Sequence, residues 1–378
     1  MSISRIKIDA TRLYIIAWLF TQFGVLLAST EFVYISNEAI KIRFYLYAIS
    51  GLLLMFKVFF FDRYRMRTLF AIAFILLLIG AISYHTLGVS LILHGAFLVS
   101  IKSVDLKRLV KADMAMRILF LVILFALSSS GIIYNYRDII SGRERISFGW
   151  LHPNVFGGHA ITILVEYYYA YVDRISLKLL AFFLVYTAVL WHICASRTSI
   201  YSFLILILIV QLFRLKRIEK SRLVEYILKL IVIFCATISW IFVWLYYKGT
   251  VLGNIINNSL SSRLTYSLRF LKRYPITLLG EKIYTVSTRE HIRQGIGAEI
   301  FDMIYIRMFI EYGLVFSILF LIIYTYLQYS LVNRGMIKES IIVLFFSLIG
   351  IANTGLLSPF SNISLMFFAL VWGETCSV

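Results

Sequence analysis

Charge, cysteine and proline are all scarce in this chain. Asp, Glu, Lys and Arg together make up 15% of its 378 residues, against roughly 25% in ordinary soluble domains. With 61% hydrophobic residues, a mean hydropathy of +0.88 and repeated apolar runs of span length, this excludes a soluble α/β or all-β protein. The three cysteines, Cys194, Cys235 and Cys376, show no paired or Cys-x-x-Cys spacing. A disulfide framework and a zinc site are therefore not indicated. Three prolines leave most of the apolar runs uninterrupted. Acidic residues number 19 against 37 Lys and Arg, for a net charge of +18. In a soluble protein that surplus would point to nucleic acid. In a chain this apolar it reads as the Lys and Arg of cytoplasmic loops, and no nucleic-acid partner is expected.

What is present is a series of apolar stretches of membrane-spanning length. We place spans near 13–28, 44–61, 68–84, 87–101, 116–134, 155–172, 177–195, 198–213, 226–247, 303–326, 341–355 and 360–372. Arg5, Lys7 and Arg12 precede the first run. The pattern is like a secretory signal, but no clear small-residue cleavage site follows, so we read a retained first span. The fold expected is an all-α polytopic transmembrane bundle of about twelve spans, with residues 1–378 forming a single membrane domain.

Orientation follows from alternate loops. One set carries Arg5/Lys7/Arg12, Arg63/Arg65/Arg67, Lys102/Lys107/Arg108/Lys111/Arg117, Arg174/Lys178, Arg214/Lys216/Arg217/Lys220/Arg222 and Arg334/Lys338. These loops are cytoplasmic by the positive-inside rule, which places both termini inside. The opposite set is short except for 135–154 and the long loop 248–302 between spans nine and ten. That loop reads as a partly helical subdomain. Over 260–274 it carries Leu260, Leu264, Leu268 and Leu271 on one side, with Arg263, Arg269, Lys272 and Arg273 elsewhere. This is the pattern of an amphipathic helix at a membrane surface; a helix packed on the bundle fits it as well.

The external side holds nine arginines: Arg137, Arg143, Arg145, Arg197, Arg263, Arg269, Arg273, Arg289 and Arg293. Topology does not call for cations there, and arginine suits bidentate binding of phosphate. Three polar clusters fall where spans begin from that side, at helix N-termini that favour anions. They are Arg143 to Gly157, with Pro153 at a first helical position; Ser196-Arg197-Thr198; and Glu299 to Tyr305. Each alone reads as ordinary capping, but their coincidence on one face points to a diphosphate site. Among intramembrane ionisable groups, Glu166, His94, His159 and His192 form no evident relay or metal cluster. His159 follows His152 by seven residues, on one face of span six.

The pattern Arg145-x-x-Phe148-Gly149-x-x-His152-Pro153-Asn154-x-Phe156-Gly157 resembles the O-antigen polymerase and ligase superfamily, as does Ser196-Arg197-Thr198 opening a later span. So do Leu260-Ser261-x-Arg263, Leu279-Gly280, Asp302-x-x-Tyr305 and Glu311-x-Gly313 in that order. The order is similar to that of Wzy-type bacterial polysaccharide polymerases over roughly 143–313.

The resemblance implies a GT-C-like fold and a metal-independent glycosyltransferase of the bacterial cytoplasmic membrane, without a cofactor. Its substrates would be oligosaccharide repeat units on undecaprenyl diphosphate, joined at the external face with release of undecaprenyl diphosphate. The product would be a capsule, exopolysaccharide or O-antigen. The lipid bilayer, a flippase and a chain-length regulator are the expected partners. Arg145, Arg197 and Arg263 lead the candidates for diphosphate binding, with Arg143, Asn154 and Tyr305 beside them. Asp302 and His152 are the candidate bases, followed by His291 and Glu290. Ligases of the superfamily commonly have a histidine where this chain has Asp302-x-x-Tyr305, which favours polymerase over ligase. A lipid-linked oligosaccharide flippase is the third reading, but the halves of the chain show no repeat.

Overall fold

Long apolar helices dominate the structure, a computed structural model that describes residues 9–375 apart from 37, 63, 87, 141–142, 173–175, 195–196, 214–220, 288–289, 292–294, 296 and 298. Helices α1 (Ala10–Ala28), α2 (Phe32–Ile35), α3 (Glu38–Phe60), α4 (Met66–Thr86), α5 (Val89–Val99) and α6 (Leu106–Ser129) come first. A hairpin of β1 (Arg137–Ile140) and β2 (Arg143–Ile146) then leads to α7 (Pro153–Tyr171). The remainder comprises α8 (Leu177–Cys194), α9 (Arg197–Phe213), α10 (Arg222–Tyr247), α11 (Val251–Ser259), α12 (Arg263–Arg273), α13 (Ile304–Glu311), α14 (Gly313–Asn333) and α15 (Ile337–Gly350). Two 3-10 turns (Gly355–Leu357 and Ile363–Phe367) and α16 (Phe368–Thr375) close the chain.

Among the described residues, six helices (α1, α3, α4, α8, α10 and α14) are long and apolar enough to cross a membrane. Large apolar side chains on α3 and α4, including Phe59, Phe60, Phe70 and Phe74, point outward and exposed. A surface this apolar suits lipid rather than water. The chain is a multi-pass helical membrane protein.

Several expectations are corrected in detail. The run at 303–326 is not one helix: α13 stops at Glu311 and α14 starts at Gly313. The run at 360–372 opens as a 3-10 turn before α16. The 135–154 loop contains the antiparallel β-hairpin, an exception to the all-α expectation, with Arg137 opposite Ile146 and Asp138 opposite Arg145. Arg117, assigned above to a cytoplasmic loop, lies on α6 and is 1% exposed. The basic run around it hides a helix that begins at Leu106, where Asp105 caps it by accepting from the Arg108 amide at 3.1 Å.

The chain forms two compact units. The first comprises Met1–Leu76, Leu93–Asp173 and Leu365–Val378; the second comprises Leu77–Ile92 and Arg174–Ser364. In the first, α1 packs on α3 and α6, and α6 packs on α7. Tyr14 and Trp18 of α1 set their rings edge-on to Phe97 at 5.5 and 5.4 Å, a favoured aromatic geometry. Lys57 is buried without isolation. Its ammonium donates to both Asp62 carboxylate oxygens at 2.7 Å and to the carbonyls of Ser100 and Lys102, the condition under which a buried charge is tolerated.

In the second unit, α10 is the hub for α11, α12, α13, α14 and α15. Leu264 and Phe270 of α12 join Val243, Phe301, Met303, Ile306 and Ile310 in one core, with Phe270 stacked on Phe301 at 4.4 Å. The helix expected over 260–274 is present, and protein covers its apolar face. Burying each such side chain stabilises by roughly 1.5–3 kcal/mol.

Candidate functional site

In the first unit a strap of chain sets the start of α7. Tyr136 and Ser147 extend the hairpin through Ser147 N–H to Tyr136 O at 3.1 Å. The Phe148 amide then donates to Asn135 Oδ1 at 3.0 Å. The segment is tied to the end of α1 by Leu151 N–H to Ser29 O and Glu31 N–H to Gly149 O, both 3.0 Å. Trp150 is 1% exposed and stacks on His159 at 4.4 Å. With the strap fixed, His152 takes an extended conformation and becomes the N-cap of α7, its Nδ1 accepting from the Asn154 amide at 3.1 Å. Pro153 follows in the first helical turn, where its missing N–H costs nothing.

Arg145 projects from β2 toward this helix start. It is 7% exposed, and its Nη2 lies 3.5 Å from both His152 Nε2 and Asn154 Oδ1. These are long contacts, not tight bonds. A guanidinium and the positive end of the helix dipole thus meet at one place, a combination that favours phosphate-like anions. The cap also fixes the histidine tautomer: with Nδ1 accepting, the neutral ring carries its proton on Nε2. His152 in this state is a donor, not a base.

The second unit holds the other candidates. Arg263 opens α12 and its Nε lies 3.3 Å from Asp302 Oδ2, both side chains partly exposed. Asp302 sits just ahead of α13. Arg307 steadies that segment, donating from Nη1 to the Phe301 carbonyl at 3.2 Å while its Nε and Nη2 pair with the two Glu311 oxygens at 2.5 and 3.3 Å. The long loop is anchored near by, with Glu281 N–H to Ile310 O and Leu314 N–H to Thr277 O, both 2.9 Å.

Other expected site residues are placed differently. Glu290 closes a local capping box: its Oε2 accepts from the Ser287 amide and hydroxyl at 2.9 and 3.0 Å, and its own amide donates to Ser287 Oγ at 3.2 Å. His291 belongs to the same turn, its amide donating to the Ser287 carbonyl. Tyr305 is fully buried with its hydroxyl donating to the Ser347 carbonyl at 3.2 Å, which makes it a packing residue of α13. Arg143 lies on β2 and Arg197 opens α9; their side chains, and all of Ser196, lie outside the described residues.

The structure therefore brings Arg145, His152 and Asn154 together in the first unit, and Arg263 with Asp302 in the second. Sequence reasoning missed the Arg307–Glu311 pair and a buried cluster around Arg117, although both carry an i,i+4 pairing of opposite charge in the sequence (Arg307 with Glu311, Asp113 with Arg117). No family model, no curated protein and no solved structure matches the chain.

Proposed function

We propose that the chain is a membrane glycosyltransferase that polymerises oligosaccharide repeat units carried on undecaprenyl diphosphate. In this reading it has twelve spans and both termini inside, and it works at the external face of the bacterial cytoplasmic membrane. The observation that supports the reading most is the Arg145, His152 and Asn154 cluster at the N-terminus of α7. These residues belong to the short pattern that resembles Wzy-type polymerases, and they gather where a helix end favours an anion.

The chemistry asks for such a cluster. A sugar hydroxyl on the acceptor attacks the donor's anomeric carbon, the bond from that carbon to the diphosphate oxygen breaks, and negative charge develops on the leaving group. Fixed cations and amides stabilise that charge best when they are already in place. Arg145 and the positive end of the α7 dipole fill this role, with His152 holding the helix start as its N-cap. Asp302, held by Arg263, is the candidate for removing the acceptor proton.

The test is incubation of the purified protein with a lipid-linked repeat unit, without nucleotide sugar. A ladder of repeats is the expected product. Transfer that begins only when a lipid-core acceptor is added would make the protein a ligase, and movement of the lipid-linked unit across liposomes without bond formation would make it a flippase.

A further inference from the structure

Within the first unit, α1, α6 and α7 enclose a charge cluster that the proposed reaction does not use. Gln22, Asp113, Arg117 and Glu166 are each at most 1% exposed. Arg117 is the centre. Its Nε donates to Asp113 Oδ2 at 3.1 Å and to Glu166 Oε1 at 3.0 Å, and its Nη2 donates to Asp113 Oδ2 at 2.9 Å. Nη1 reaches His159 Nδ1 at 2.9 Å. With its amide oxygen turned inward, Gln22 accepts from Nη2 and Nη1 at 3.0 and 3.2 Å.

Guanidinium has no acceptor, so His159 Nδ1 must accept. The ring is then neutral, with its proton on Nε2, and it adds no charge. The titratable and charged groups that face the two carboxyls are thus Arg117 from α6 and a neutral His159 from α7, while α1 contributes the neutral Gln22. Two carboxylates against one guanidinium leave an excess negative charge, fully buried, which proteins avoid. The unsatisfied atoms point the same way. Asp113 Oδ1 and Glu166 Oε2 are both buried without a hydrogen-bond partner, and the two carboxyls are drawn together on the one Arg117 Nε–H, at 3.1 and 3.0 Å. Two ionised carboxylates would have nothing to donate.

We propose that Asp113 and Glu166 hold one proton between them, making the Arg117 cluster a neutral, proton-loaded site inside the bundle. The O–H of one carboxyl donates to the other, which brings the charge of the cluster to zero. The ligand is a proton, and its binding does not depend on glycosyl transfer. Intramembrane ionisable groups commonly serve proton or ion movement, and this site is built for loading one proton.

Infrared spectroscopy of the full-length protein in lipid nanodiscs tests it, in H2O and in D2O. The expected result is a protonated-carboxyl C=O band at neutral pH that moves to lower frequency in D2O. Glu166→Gln and Asp113→Asn each supply an amide donor and leave one carboxylate for Arg117, so each loses the band. As pH rises and the wild-type band disappears, the wild type loses thermal stability, while Glu166→Gln stays flat over the same interval. Absence of the band from the wild type would overturn the proposal whether or not either variant folds. So would a band that survives in both variants, or a sodium-dependent rise in thermal midpoint in place of the band, which would mean a metal cation occupies the site.

Discussion

The backbones of Gly280 and Gly313 cross so closely that neither position has room for a side chain. A Cβ on Gly280 would fall on the Glu311 carbonyl, and one on Gly313 would fall on the Gly280 amide. Both residues also adopt left-handed conformations, with φ of +89° and +81°, which L side chains resist. This crossing pins the middle of the long loop and breaks the helix expected over 303–326 into α13 and α14.

Gly280→Ala and Gly313→Ala should therefore each destabilise the protein by about 2 kcal/mol or more, combining roughly 1–2 kcal/mol for the left-handed backbone with the overpacking cost. Gly335→Ala is the control, because Gly335 has φ of +68° but open space around it; it should lose only the backbone share. Thermal unfolding in detergent reads all three. Equal losses at the three positions would mean that the crossing adds nothing.

The fork of Arg145 matters as much as its charge if it grips a diphosphate. Arg145→Lys and Arg145→Ala, matched for membrane insertion, should both slow polymerisation, the alanine variant by roughly 10- to 150-fold, corresponding to loss of about 1.5–3 kcal/mol of charge-assisted hydrogen bonding. Wild-type polymer from both variants would remove Arg145 from the site.

Asp302 and His152 differ in what their surroundings leave free. The capped tautomer makes His152 replaceable by another N-cap, so His152→Asn should fold with little loss and keep much of its activity. Asp302→Asn keeps the shape beside Arg263 but cannot take a proton, and its turnover should fall by roughly 10²–10⁴. Turnover numbers for the two variants decide the matter. A large loss in His152→Asn with near-normal Asp302→Asn would exchange the two roles.

Arg307 is a positioning residue through the Phe301 carbonyl. Arg307→Ala should cost about 1–3 kcal/mol, because Glu311 is left partly buried without its partner, and it should also lower activity by releasing the segment that carries Asp302. A thermal midpoint and activity both unchanged would show that the segment holds itself.

Much of this architecture can be read along the chain. Helix α12 announces itself by Leu264 and the basic residues around it, and His152-Pro153 marks the start of α7 by local capping chemistry alone. The elements that escaped depend on partners far away in sequence. Nothing near Gly313 says that helix must break there, since the cause is Gly280 crossing it. Arg117 follows Lys107, Arg108 and Lys111 and so resembles another loop cation. What buries it is Glu166, 49 residues on. Asp113, four residues before Arg117, was the local sign of a helix-borne pair. The cluster of Arg145, His152 and Asn154 was legible because all three lie within one short motif, whereas the burial of Tyr305 under Ser347 is a tertiary contact with no local signal.

In the proposed function, the protein forms glycosidic bonds by expelling a lipid diphosphate. The most direct test follows a radiolabelled undecaprenyl-diphosphate-linked repeat unit through incubation with wild-type protein and with Arg145→Ala, measuring chain length and released lipid diphosphate together. Under the proposed function one diphosphate is released for each bond formed by the wild type, and both signals are strongly reduced in the variant. An unchanged substrate in the presence of properly folded wild-type protein, or equal polymer from the two proteins, would contradict it.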